Sequence, residues 1–367
     1  MPCSFPSVRG QEDEVLNNGR GNPGVHASNG TAGRARCQGR QFPGSLIRMN
    51  RQPFFRLRSC LTVTFVLAVF VVFAGATVRA TGSGMGCPDW PLCYGCWIPP
   101  VSVDQLPADY AQKYAVAGHP AEFDAVKTWI EYINRLLGAA TGMAMVVTVG
   151  FSIPVVRSKP SLGMLAMVSC VVLGFIAWLG AKVVDSYLAS HAVTFHLVAA
   201  YTLLVLLLGQ REIVDRALEG PRPTTGKPLT IVVAVVGAAF AVQWVLGIRI
   251  REEVEAWIWG HDLSGSLWEG WGGAYDLHKI SAVVVGLVAA LLAWMGWRGR
   301  ARDSRVFRLT FVCAGFVVLQ AGVGLVLWWG QQPPWAKPLH LLFATGAWAA
   351  WVALVLHSLP TGASKNV

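Results

Sequence analysis

The chain has 367 residues, of which 54% are hydrophobic and only 14% charged, with a formal net charge of +10. That balance excludes an ordinary soluble globular domain. The excess of Lys and Arg is spread over short loops instead of one soluble face, which excludes a nucleic-acid-binding module.

Residues 1–50 come first and stand apart. They are rich in Gly, Asn, Arg and Ser without apolar periodicity, so a disordered N-terminal extension is expected. Glu12, Asp13 and Glu14 carry the wrong charge for a transit peptide, which favours a bacterial plasma membrane over an organelle. Met49, just before a basic stretch and the first apolar run, reads as the true start, with 1–48 an extension of the assigned reading frame.

Eight apolar runs follow, near 59–78, 132–152, 162–183, 192–209, 228–248, 277–296, 308–329 and 339–357. Each reaches or approaches the roughly 20 helical residues that cross a bilayer. Backbone groups in lipid must pair within the segment, so these runs are expected as helices, and the dyad alternation of a barrel is absent. The fold class expected is an all-α integral membrane protein with eight transmembrane helices. Arg51, Arg56 and Arg58 precede the first run, and Arg157 and Lys159 separate the second from the third. Arg211, Arg216, Arg222 and Lys227 lie between the fourth and fifth, and Arg298, Arg300, Arg302, Arg305 and Arg308 between the sixth and seventh. The 250–276 loop is acidic instead, with Glu252, Glu253, Glu255, Asp262 and Glu269. By the positive-inside rule both termini are expected in the cytoplasm.

The loop after the first run reads Gly-Ser-Gly-Met-Gly-Cys87-Pro-Asp-Trp-Pro-Leu-Cys93-Tyr-Gly-Cys96 and faces the oxidising side, where a disulfide persists. Cys87 and Cys93 are close enough in sequence to bridge; a Cys93–Cys96 bond or a free thiol stays open. Trp97 after Cys96 rules out a covalent-heme Cys-x-x-Cys-His motif. The pair is either structural or redox-active beside Glu131. Cys60, Cys170 and Cys313 sit in apolar runs and read as packing residues.

The remaining runs repeat one another. Glu131-Tyr-Ile-Asn134-Arg135 corresponds to Tyr275-Asp-Leu-His278-Lys279, and His196-Leu-Val-Ala-Ala to His340-Leu-Leu-Phe-Ala. Asn134 and His278, His196 and His340, and Gly180 and Gly324 are each 144 residues apart. Two four-helix bundles with pseudo-symmetry are therefore expected, at 55–210 and 225–358. All four polar residues lie in the first turns of runs entering from the outer side, within roughly 10 Å of the helix starts at about 1.5 Å per residue.

Paired imidazoles on apolar helices suit the two faces of a low-spin heme b, so His278 and His340 are expected as its axial ligands, with Trp244, Phe316 and Trp328 helping to line the slot. Zinc is the competing use, but it wants further ligands at this depth. In the first half Asn134 is a poor iron ligand, leaving His196 alone, with His191 and His119 as candidate replacements. Glu131, one turn outward from Asn134, is positioned to accept protons or stabilise positive charge beside a porphyrin. Arg79 and Arg135 are expected to meet anionic groups such as propionates, against a reading as interfacial snorkelling.

The Cys-Pro-Asp-Trp-Pro-Leu-Cys loop after Gly75-Ala-Thr-Val-Arg79 resembles the heme A synthase family. So do Glu131-Tyr-Ile-Asn-Arg135, the two His-Leu helices and Leu319-Gln320-Ala-Gly-Val-Gly324, together covering roughly 55–357. The resemblance implies oxidation of the C8 methyl of heme O to a formyl group, giving heme A for terminal oxidases. It implies His278 and His340 on the heme b iron, His196 on the substrate heme iron, Glu131 as the essential acid and Cys87 with Cys93 as the loop pair. The family motif has histidine where Asn134 stands, which leaves two readings. One is an active variant that holds the substrate iron by His196 alone, favoured by the presence of Glu131, Arg135 and the Cys loop; the other is a protein that binds heme without turning it over. Expected partners are heme O, heme O synthase, the cytochrome oxidase assembly route and the bilayer, with homo-oligomerisation open. The rivals are a diheme b-type electron carrier, against which Asn134 argues, and a heme chaperone or transporter using some of the 16 Trp.

Overall fold

A computed structural model describes residues 51–115, 120–220, 226–260, 273–299, 303–330 and 332–359, the side chains of 254–260 excepted. The N-terminal extension 1–50 with Met49, His119, Arg222, Asp262, Glu269, Arg300 and Arg302, and the side chain of Glu255, lie outside that description.

The described chain is helical: α1 (Gln52–Ala80), a 3₁₀ turn at Val103–Gln105, the short α2 (Tyr110–Lys113), then α3 (Ala125–Val156), α4 (Pro160–Asp185) and α5 (Ser190–Glu219). α6 (Lys227–Gly260), α7 (Gly273–Arg298), α8 (Ser304–Trp329) and α9 (Ala336–Ser358) complete it. Eight of these are long and apolar enough to cross a bilayer, and they coincide with the eight runs of the sequence. The protein is an all-α, multi-pass membrane protein.

Local signals set the helix starts. Pro53 and Pro160 occupy the first turns of α1 and α4, where a missing N–H costs nothing. Asp124 caps α3 by accepting from the Val126 and Lys127 amides, and Asp303 caps α8 the same way for Arg305 and Val306. The Asp124 cap starts α3 at Ala125, seven residues before the apolar run at 132. Asn134 therefore stands nine residues past the helix start, about 13 Å along it and not within the expected 10 Å. α6 likewise runs on to Gly260, through Glu252 and Glu253, where an acidic loop is expected from position 250.

α1, α3, α4 and α5 pack in a closed ring of neighbours, as do α6, α7, α8 and α9; α9 also packs on α1 and α5. Leu57, Leu61, Met145, Leu204 and Leu207 fill the first ring, and Val236, Leu292 and Leu354 the second. Polar pairs cross these interfaces where lipid offers no alternative partner: Thr64 with Thr148 at 2.9 Å, and the Gln210 amide donating to Ser169 at 2.9 Å. At one end of the bundle a buried carboxylate, Asp215, gathers Arg58 at 3.0 Å and Arg305 at 2.7 Å, tying α1, α5 and the start of α8. Large outward side chains such as Val146, Val171 and Leu287 stay exposed, as a lipid-facing surface requires.

Candidate functional site

The loop after α1 lies flat on the first two turns of α3. A Cβ on Gly86 would come within 2.6 Å of the Lys127 carbonyl, so only glycine permits this approach. Thr128 Oγ1 donates to the Gly86 carbonyl at 2.9 Å, and Cys87 N–H donates to Glu131 Oε2 at 2.9 Å. Arg135 Nη1 donates to the carbonyls of Asp89 (2.7 Å) and Leu92 (2.8 Å), and Nη2 to the Cys87 carbonyl (2.8 Å) and Glu131 Oε1 (2.6 Å). Both terminal nitrogens of Arg135 are thus spent inside the protein, leaving Nε alone for an outside anion. Glu131 is 4% exposed, and each of its oxygens takes one donor from this lock.

Asp89 accepts the Tyr94 and Gly95 amides at 2.6 and 2.7 Å, folding the tip of the loop. Cys87 and Cys93 are buried with their Sγ atoms 2.07 Å apart, and Cys96 is exposed. Tyr94 sits among Tyr110, Tyr114 and Phe123. Burial, followed by the neighbouring Tyr110, Glu131, Asp89 and Tyr114 groups, pushes its hydroxyl up to about 12.

The histidines lie against glycines. A Cβ on Gly324 would stand 3.3 Å from His340 Cε1, and one on Gly180 3.4 Å from His196 Cε1. Gly247 takes the same position, at 3.7 Å, beside His278 Cε1. His340 Nδ1–H donates to the Gln320 carbonyl at 3.1 Å, which leaves Nε2 as the ring nitrogen with a lone pair to offer a metal. The matching carbonyl for His196 is Ile176, again 144 residues earlier in the register, although His196 Nδ1 is buried without a hydrogen bond. His278 accepts from the Gln243 amide at Nε2 (3.1 Å), and Ser281 Oγ donates to Gln243 Oε1. Its Nδ1 is buried and unpartnered. His278 and His340 are close enough for a charge on one to be felt at the other.

In the first half, Asn134 Oδ1 is buried with no hydrogen-bond partner and faces Gly75 of α1, whose Cβ would lie 3.9 Å away. His191 is exposed at the start of α5. Arg79 shares one electrostatic neighbourhood with Arg251 and Lys337, bringing cations from α1, α6 and α9 together. Of the large residues expected around the second slot, Trp244 rests on Tyr201 (5.6 Å between centroids), Phe316 packs on Gly346, and Trp328 lies under Lys279 Nζ at 4.9 Å.

These residues fit a porphyrin bound by imidazole. Buried imidazoles, glycines where a side chain would crowd the ring, and gathered cations are what an iron macrocycle with two propionates asks for. Gln243, Ser281 and Asp89 are additions to the sequence reading. Only Asp89, inside the Cys-Pro-Asp-Trp-Pro-Leu-Cys motif, carried a signal that pointed to it.

Comparison with known proteins agrees with this geometry. The model of the COX15-CtaA family, cytochrome oxidase assembly proteins, matches residues 58–352. Over 149 residues, 40% of this chain and 42% of the relative, the sequence is 30% identical to a heme A synthase of Shewanella oneidensis. It is 50% identical over 46 residues to one of Geobacillus thermodenitrificans, covering 12% of this chain and 14% of that protein. It is 25% identical over 154 residues to one of Rickettsia bellii, covering 39% and 44%. The matched stretches span less than half the length of each of these relatives, whereas the family match covers most of this chain. The chain belongs to the COX15-CtaA family of cytochrome oxidase assembly proteins.

Proposed function

We propose that this protein is a heme A synthase, oxidising the C8 methyl of heme O to a formyl group. The observation that carries the reading is Glu131: a buried acid, held by the Cys87 amide and Arg135, one helical turn from Asn134 in a family whose curated relatives bear that name. Oxidation of a methyl to a formyl group removes hydrogen from carbon in two successive hydroxylations, and the hydrated aldehyde then loses water. Each hydroxylation that takes its oxygen from water passes two electrons to an external electron acceptor and releases two protons. A carboxylate shielded from solvent accepts such a proton, whereas the final loss of water changes no oxidation state.

The bundle at 55–210 takes the substrate, with His196 holding it and Asn134 contributing shape instead of a nitrogen. The bundle at 225–358, related to the first by pseudo-symmetry, takes heme b between His278 and His340. When bound there, heme b supplies a low-spin iron able to pass electrons. Arg79 with Arg251 and Lys337 balances the propionate charges. Arg135 positions the loop, with its Nε alone left for a propionate. Cys87 and Cys93 form a disulfide that keeps the loop over Glu131. The basic residues between the runs support a cytoplasmic side with both termini inside and the histidine ends outward, and we assign the chain to a bacterial plasma membrane. Heme O synthase supplies the substrate, and assembly of a terminal oxidase consumes the product.

The test is expression beside a heme O producer, pigment extraction and mass determination. A formyl-bearing heme supports the enzyme; unmodified heme O means a carrier, and protoheme alone a b-type cytochrome.

A further inference from the structure

The three cysteines of the first loop differ in what can reach them. Cys87 and Cys93 are 0% and 1% exposed, so no outside thiol touches their bond, whereas Cys96 is open to solvent. Cys93 and Cys96 bond each other reciprocally through the backbone, N to O at 2.9 and 3.1 Å. Between them Tyr94 and Gly95 hold φ values of 52° and 78°, the pattern of a type I′ turn, and the Asp89 carboxylate fixes both turn amides. A reciprocally bonded antiparallel pair places its Cα atoms about 5.5 Å apart. That lies inside the roughly 4.4–6.8 Å over which a disulfide closes. Two sulfurs thus compete for Cys93: Cys87, already at bonding distance, and Cys96 across the turn.

We propose that Cys96 is the exchange cysteine of this loop and the point at which an external thiol engages it. The Cys96 thiol loses its proton to solvent, and the thiolate attacks Cys93 Sγ in line with the Cys87–Cys93 bond. A Cys93–Cys96 bond forms, the Cys87–Cys93 bond breaks, and Cys87 leaves as a thiolate that takes up a proton. One disulfide replaces another, so the step consumes neither oxidant nor reductant. The exchange carries the bond from a buried position to one ending on an exposed sulfur, where a second thiol attacks it. It also releases the residue whose amide Glu131 holds, so the loop's covalent state is felt at the buried acid. The inference rests on a Cys87–Cys93 disulfide and is independent of any heme.

The test reads sulfur, not pigment, on the full-length protein in detergent. In Cys87→Ser, proteolysis and mass spectrometry should find Cys93 joined to Cys96; finding both as free thiols overturns the proposal. In wild type and Cys96→Ser, loss of the loop disulfide is timed in glutathione. Cys96→Ser keeps the Cys87–Cys93 pair and should be reduced at least tenfold more slowly; equal rates overturn the proposal, as does a wild-type loop with no disulfide. Should Cys87→Ser fail to fold, the rate comparison decides alone. Failure of heme A formation with intact exchange would sink the heme reading and leave this one standing.

Discussion

Tyr201 on α5 and Thr345 on α9 join their hydroxyls at 2.7 Å, and the two residues are 144 positions apart. That separation is the register of the repeat, and each stands five residues after the histidine of its helix, His196 or His340. The contact ties α5 to α9 through a buried hydroxyl pair. Thr345 Oγ1 already donates to the Leu341 carbonyl at 2.8 Å, so Tyr201 is the donor. Tyr201→Phe should therefore cost about 1 kcal/mol. A double-mutant cycle with Thr345→Val should show a coupling of roughly 0.6–1.5 kcal/mol in detergent unfolding. Additive losses would mean the contact carries nothing.

His278→Ala and His340→Ala should each abolish the low-spin bis-imidazole absorption of the purified protein, and His196→Ala should leave it in place. Gly324 sharpens this test. Its absent Cβ would sit 3.3 Å from His340 Cε1, so Gly324→Leu should displace the ring and lower heme content without removing a ligand. Optical spectra and heme-to-protein ratios read both outcomes. Retention of the spectrum in either histidine variant would refute the ligand assignment.

The eight helices were legible because lipid forces long apolar runs to be helical. What escaped was decided by backbone and loop contacts that no spacing encodes. Arg135 looks in sequence like a surface cation awaiting an anion, yet Cys87, Asp89 and Leu92 turn their carbonyls onto it. The early start of α3 depends on Asp124 capping a turn that is not apolar. Asp215 reads as one acid among arginines, and only the approach of α1 and α8 to α5 makes it a buried hub. Tyr201 and Thr345 are ordinary helix residues until the two bundles meet.

Asn134→His restores the residue type that the resemblance implies at this position. The Asn134 Oδ1 atom is buried, unpaired and opposite Gly75, so a larger polar side chain has a direction to grow. The variant should bind heme in the first half as well, raising heme content towards two per chain and adding a second low-spin signal. An unchanged ratio in a stably folded variant would show that the pocket there is not shaped for an axial imidazole.

Asp303 links α8 to the end of α9, accepting from the Arg305 and Val306 amides and from His357 Nε2 at 2.8 Å. Burial works against its charge, but the His357 hydrogen bond and the two amides outweigh it and hold the carboxyl below its usual range. A depressed acid contributes stability that is present above its unfolded value, about 4, and is lost as pH falls through the lower folded value. Thermal stability should therefore drop on acidification below about pH 4, and Asp303→Ala should flatten that dependence. The same substitution should cost about 1–2 kcal/mol near neutral pH, because the cap goes with the carboxylate. An identical pH profile in the variant would remove Asp303 from the account.

Glu131 carries two tasks that substitution can separate. As a tie, it accepts the Cys87 amide and neutralises Arg135, whose side chain is only 15% exposed. Glu131→Ala leaves that cation unpaired and should cost about 3 kcal/mol, confounding chemistry with folding. Glu131→Gln keeps an oxygen for the Cys87 amide and fills the same space. It gives up the Arg135 ion pair together with the basicity, while Arg135 keeps its three loop carbonyls. Without reductant, Cys87 and Cys93 in the Gln variant should stay bonded to each other and unlabelled by thiol reagents, as in wild type, while heme A formation falls by about 10²–10⁴-fold. Full product yield from Glu131→Gln would mean that this acid only fastens the loop, and that the proton acceptor for methyl oxidation is some other group.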